Sequence, residues 1–152
     1  MIVQTMLEVE QDDEGRRHAK RLKAEIVKDR KGETLQGNIQ AHIHTGSHIQ
    51  TDSFSSYRSV SRLGYRHSSV NHSRKEWVKG KGANKVTTNT LEGTHGAIKG
   101  RARKMNIFTH EPSSSPQFPS KLNELVCRFN HRGGGRDFFV HFLNLVVAAY
   151  AL

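Results

Sequence analysis

Alternation of apolar and polar residues opens the chain. Ile2-Val3-Gln4-Thr5-Met6-Leu7-Glu8-Val9-Glu10 settles into a two-residue period, the mark of a half-buried strand. Gln11-Asp12-Asp13-Glu14-Gly15 then supplies turn residues, with Gly15 free to adopt positive φ. A second strand follows from about His18 to Val27, its apolar positions being Ala19, Leu22, Ala24, Ile26 and Val27. Together they make a hairpin. After Gly32-Glu33 the period changes: Leu35, Ile39 and Ile43 recur at i, i+4 and i+8, which predicts a helix from Leu35 to His44 with Thr34 as its N-cap.

Thr45-Gly46-Ser47 breaks that helix, and His48-Ile49-Gln50-Thr51-Asp52 reads as a short strand ending on a carboxylate. Ser53 to Ser61 is a turn into a short helix carrying Phe54 and Tyr57, and Gly64 to His72 is one more short strand. A Lys- and Gly-rich loop runs from Lys75 to Lys85 around Trp77, the only tryptophan. Asn89 to about Met105 is predicted helical, Pro112 to Pro119 a loop, and Ser120 to His131 a helix with Leu122, Leu125, Val126 and Phe129 on one face. Gly133-Gly134-Gly135 separates it from a final apolar helix. No segment repeats. The order β-β-α-β-α-β-α-α-α predicts the α/β class, as an α+β mixed sheet with helices packed on it.

Composition adds a partner. A formal net charge of +10 over 152 residues, with ten further histidines, calls for a polyanion, nucleic acid before membrane. One cysteine, Cys127, excludes an intramolecular disulfide and fits a reducing compartment; on the apolar face beside Val126 it reads as a buried structural thiol. The N-terminus has no basic-then-apolar signal pattern, and the run from Phe138 to Leu152 is too short to span a bilayer and contains His141 and Asn144. The expectation is a cytoplasmic protein, nucleoid-associated if bacterial, with no membrane partner. No Walker loop, dinucleotide fingerprint or serine-nucleophile motif suggests a small-molecule substrate.

Two elements can carry chemistry. Asp52 closes a strand, at the sheet edge where ligand sites of α/β proteins commonly lie. Asn89, Glu92, Gly96, Lys99 and Arg103 share one helix face by their spacing, which gives two oxygen donors, a gap and two cations. Oxygen donors suit hard Mg²⁺ or Mn²⁺, and cations one or two turns on can hold a phosphate strand. Each feature has a plainer reading. Asp52 before Ser53 fits an Asx-turn, and Asn89-Thr90-Leu91-Glu92 fits a capping box with Asn89 as N-cap. Further cations, Lys81 and Lys85 among them, crowd the loop before that helix. Trp77 beside them can stack on a base or anchor the core. His42, His44 and His48 do not have structural-zinc spacing, and one cysteine cannot supply the usual thiolates.

Five strings in series resemble the ISXO-like insertion-sequence transposases and their Merlin-type relatives. They are Thr51-Asp52-Ser53-Phe54-Ser55-Ser56-Tyr57, Leu63-Gly64-Tyr65-Arg66-His67, Val70-Asn71-His72-Ser73, Thr88-Asn89-Thr90-Leu91-Glu92-Gly93, and Leu122-Asn123-Glu124-Leu125 running into Arg128-Phe129-Asn130-His131-Arg132. The resemblance implies an RNase H-like core, a DNA partner, and carboxylates holding two divalent metals roughly 4 Å apart. By it, Asp52 matches the second catalytic aspartate, Asn89 or Glu92 the third ligand, and Lys99 the basic residue that contacts phosphate.

The family's first aspartate, expected in an Asp-Glu-(Ser/Thr)-Tyr string, has no counterpart: Met1 begins where the second strand should begin. Asp12 and Asp13, in the hairpin turn, lie at the wrong end of the strands to replace it. The expectation is therefore a partial catalytic domain over residues 1–132, an RNase H-like core lacking its first strand, then a divergent apolar helix over 133–152. Such a truncated or decayed copy would have an incomplete catalytic set. Two rivals stand beside it: a non-catalytic DNA-binding or dimerising fragment, acting on full-length transposase or on itself as a homo-oligomer, and a small basic RNA-binding protein.

Overall fold

The computed structural model describes residues 2–104 and 116–133. Along them run β1 (Ile2–Gln11), β2 (Arg17–Val27), α1 (Gly32–His42), β3 (His48–Asp52), β4 (Arg66–Val70), α2 (Asn89–Lys104) and α3 (Phe118–Asn130). The short helix expected after Asp52 is two 3-10 turns, Ser55–Tyr57 and Val60–Leu63, and two more such turns flank the Trp77 loop. α3 begins inside the expected Pro/Ser loop, because Pro119 suits a helix's first turn and Phe118 is buried there. The apolar helix expected after Gly133 lies outside the described residues.

Asp12 organises the hairpin. Its Oδ1 accepts the Glu14 and Arg16 N–H groups at 3.1 and 2.8 Å, and Gly15 takes φ +77°. The His18 ring, 2.8 Å from Oδ2, and the Arg16 N–H hold the Asp12 carboxyl below its usual range. The strands pair Leu7 with Leu22 but Val9 with Ala19, so two steps along β1 face three along β2, a bulge that shifts the register.

The β1–β2 ribbon has a helix layer on each face. Ala24 joins Ala102 of α2 and Phe118, Leu122 and Leu125 of α3 in one apolar cluster, with Val3 packed against it. On the opposite face Gln4 is buried: it donates to the Leu35 carbonyl at 3.1 Å and accepts from Asn38 at 2.9 Å. Met6, on that face too, packs on a second cluster formed by Ile39, Ile49, Val60 and Tyr65. α1 starts three residues before the predicted Leu35, and Thr34 is not its N-cap. The cap position is Lys31, whose side chain makes no capping bond. Asp29 serves the helix entry instead, and bonds from the Thr34 hydroxyl and the Lys31 N–H keep its carboxyl below the usual range.

One mixed sheet was expected; the described residues form two. β1 and β2 pair antiparallel, β3 and β4 pair parallel, and no backbone ladder joins the ribbons. The second edges of β1 and β3 meet no strand among the described residues, so side chains make the connection between halves. Opposite, the outer edge of β2 is covered. Asn130, at the end of α3, accepts the Leu22 N–H at 2.7 Å and donates to the Leu22 carbonyl at 2.9 Å. Arg132 donates to the Ala19 and Lys20 carbonyls beside it.

Candidate functional site

Parallel pairing with β4 delivers Asp52 to the end of β3, opposite Val70. Asp52 is exposed, and one carboxylate oxygen accepts the Phe54 N–H at 3.2 Å, so the Asx-turn reading holds. Its other oxygen has no hydrogen bond or ion pair among the described residues. A cleft of about 460 Å³ opens beside it, lined by Phe54, Arg58, His67, Asn71 and Ser73 as well as Asp52. The His67 ring lies 2.9 Å from the Thr51 hydroxyl, and burial keeps its imidazole below the usual range, helped by nearby His48.

Gln50, two residues before Asp52 and on the same strand face, ties three segments together. Its Oε1 accepts from Arg17 at 2.8 Å and from the Thr87 N–H at 3.1 Å, while Nε2 donates to the Lys85 carbonyl at 3.3 Å. Arg17 donates to the same carbonyl. The start of β2, the middle of β3 and the entry to α2 are thereby fixed to one another.

The entry to α2 differs from the expected capping box. The Thr88 carbonyl accepts the Glu92 N–H at 3.0 Å, which puts Thr88 at the N-cap; Asn89 stands exposed, its N–H bonded to the Thr87 hydroxyl at 3.2 Å. The Thr88 hydroxyl donates to Glu92 Oε1 at 2.8 Å. That uses its only proton, so His72 Nε2, 2.9 Å from the same hydroxyl and 3.4 Å from Glu92 Oε1, carries a hydrogen and donates. Glu92 is thus held by a threonine and a histidine. Trp77 meets the His72 ring edge-on at 4.8 Å and is 51% exposed, so it is a surface residue and not a core anchor.

Asn89, Glu92, Gly96, Lys99 and Arg103 all lie on the exposed ridge of α2, as their spacing required. Thr94 and Ala102 are buried on the other side. Between them His95 meets the Thr5 hydroxyl of β1 at 2.6 Å; burial and Lys99 hold its imidazole below the usual range, with Glu92 opposing. Lys81 is exposed, whereas Lys85 is half-buried and its carbonyl serves as the anchor for Arg17 and Gln50. Cys127 is half-buried, not fully so, with its sulfur 3.8 Å from His131 Nδ1.

The structure therefore links Asp52 to the α2 entry by two routes, through Gln50 to Thr87 and across the cleft wall from Asn71 to His72. Among the described residues no group of three or more His, Cys, Asp or Glu side chains gathers where it could hold a metal ion. His42 stands 3.5 Å from Glu25, and His48 bonds Ser68 at 2.9 Å. Gln50, Thr88, His72, Phe54 and Arg58 were not among the predicted site residues. Two signals could have found some of them: the two-residue period that puts Gln50 on the face of Asp52, and the Val70-Asn71-His72-Ser73 string itself. No described helix is long and apolar enough to cross a membrane.

The model of one family, the ISXO2-like transposase domain, matches residues 1–130. No curated protein and no solved structure matches the chain.

Proposed function

The chain belongs to the ISXO2-like transposase family, and we propose that it takes part in DNA transposition by laying a DNA strand along the α2 ridge toward Asp52. One observation carries this reading. Two oxygen donors and two cations, Asn89, Glu92, Lys99 and Arg103, stand exposed in a line on a helix whose entry is fixed to the strand of Asp52. Lys99 and Arg103 would grip phosphate oxygens, which position DNA without reading its sequence. Lys81, Lys85 and Trp77 would extend the contact along the preceding loop.

Asp52, with Asn89 or Glu92 as the further ligand, would hold Mg²⁺ or Mn²⁺. Their oxygen donors suit such hard ions, but so few ligands leave most of the water in place, so binding is weak. When bound, the metals of such sites activate the attacking hydroxyl and stabilise the leaving oxygen. The RNase H-like reading of the core is supported by β1 and β3, each with one edge unpaired among the described residues. Such a core sets its first strand, with the first aspartate, between these two. No Asp-Glu-(Ser/Thr)-Tyr string is present in the 152 residues, and we expect these residues alone to bind DNA and not to cut it. The same edges favour a second reading, a non-catalytic DNA-binding protein that pairs with a transposase of this family or with another copy of itself.

Binding to duplex DNA across a salt series tests the proposal. Affinity should fall with a log–log slope of about −0.9 per phosphate neutralised. Lys99→Ala should lower affinity for all sequences alike and reduce that slope by about 0.9. Salt-independent binding, or a Lys99→Ala variant with unchanged affinity, would remove α2 from the DNA path. Mg²⁺-dependent nicking lost in Asp52→Ala would show that another group completes the catalytic set.

A further inference from the structure

The cleft beside Asp52 holds more than the carboxylate needs. Phe54, two residues on, is 38% exposed although it is a large apolar side chain in a polar setting. The Asx-turn bond from its N–H to Asp52 fixes the start of its side chain relative to the carboxylate. Tyr57 meets the ring in an edge-on contact at 6.2 Å and not as a flat stack. Arg58 lines the same cleft, is exposed, and its guanidinium has no hydrogen bond or ion pair among the described residues. Ser69 and Ser73 add hydroxyls to the wall, and Asn71 an amide.

An exposed aromatic ring, an unpaired guanidinium and hydroxyl donors in about 460 Å³ form a set with one good occupant. A base stacks on the ring whatever its identity, because every base has a π-face. Guanidinium and hydroxyl donors match phosphate oxygens. A nucleotide paired inside a duplex cannot use the ring, since both its faces are covered by neighbouring pairs, and a terminal pair offers one face but cannot enter the cleft without its partner strand. Resting on the DNA reading above, we propose that this cleft receives one unpaired nucleotide of a DNA end, its base on Phe54 and its phosphate on Arg58. The phosphodiester of that nucleotide then lies beside Asp52, and the cleft acts as a selector for frayed or single-stranded ends over intact duplex.

The test compares the 152-residue chain's affinity for a blunt duplex with that for the same duplex bearing a short unpaired thymine overhang. The overhang should bind more tightly, and its first thymine should be protected from permanganate, which attacks unstacked bases. Phe54→Ala should cost roughly five- to 150-fold on the overhang substrate, the range for one lost base stack. It should restore permanganate reactivity and leave blunt-duplex affinity unchanged. Phe54→Trp should retain the preference, and Arg58→Ala should reduce the salt slope on the overhang substrate by about 0.7. Both side chains are exposed, so unchanged melting curves confirm folding. Equal affinity for the two substrates, or a Phe54→Ala variant that keeps the preference, overturns the cleft proposal while leaving α2 as the duplex contact. Failure to bind either DNA overturns both.

Discussion

Replacing Asn130 by alanine should destabilise the protein far more than its place at a helix end suggests. The side chain makes a paired contact with Leu22, accepting its N–H at 2.7 Å and donating to its carbonyl at 2.9 Å, as a neighbouring strand would. Leu22 is 2% exposed, so little water can replace what is lost. Each hydrogen bond contributes about 1 kcal/mol, and each buried backbone group left unpaired costs about 1–3 kcal/mol. Partial access of water to the strand edge brings the expected loss to roughly 2–4 kcal/mol. With a urea slope of about 2 kcal/mol/M, the unfolding midpoint should fall by roughly 1–2 M. Hydrogen exchange supplies the local readout: the Leu22 amide should lose protection while α1 amides keep theirs. Asn130→Asp is the control, because it retains the acceptor but sets a carboxylate oxygen against the Leu22 carbonyl, and it should be no better than alanine. An unchanged midpoint and a still-protected Leu22 amide in Asn130→Ala would refute the claim that α3 closes the outer edge of β2.

Other expected outcomes follow from the site. Asp52→Asn should leave the melting temperature within about 1 °C of the parent, since asparagine also accepts an Asx-turn bond; a large drop on thermal melting would mean that Asp52 has a structural role. Thr88→Val removes both the hydroxyl that holds Glu92 and the partner of His72, and should cost about 1 kcal/mol, read by chemical denaturation. His48, His67 and His95 all have imidazoles held below their ordinary value of 6.5, with burial the first cause. The unfolded chain therefore takes protons first as pH falls, so stability is fully present above about pH 7 and declines toward pH 5. Melting temperatures across that range should show the decline, shallower in His95→Gln; a flat profile would contradict it.

Much of the fold was legible because its elements carry strong periods. The i, i+4, i+8 spacing of Leu35, Ile39 and Ile43 gave α1, and two of the three are buried. The ridge of α2 was readable by the same rule, because which residues share a helix face depends only on spacing. Helix entries were less readable. Thr34, Asn89 and Thr88 are all good capping residues, and the one that caps is decided by where the chain arrives from, which no local string records. The separation into two ribbons was hidden for a related reason, since alternation shows that a strand exists but not which edge is paired. Around the site, Asp52 and Glu92 were visible as carboxylates in suggestive places. Gln50 was not, because a neutral amide becomes a linchpin only when Arg17 on β2 and Lys85 and Thr87 at the entry to α2 converge on it from two distant segments.

β1 serves two interiors at once. Val3 packs on the cluster with α2 and α3, while Gln4 and Met6 face α1 and the second cluster. Most ribbon strands have a forgiving side, where a misplaced residue meets only water. This one has none over residues 3–6. A slip of one residue would send Gln4 into one apolar interior and Val3 toward the Leu35 carbonyl and Asn38 in the other, so both sides would register the same error. Misfolding by strand slippage is thus opposed twice by a single segment. The bulge past Leu7 sets the limit of that control, because beyond it the hairpin keeps its own count and is tied to the rest by Arg17 and Arg132 and not by either apolar cluster.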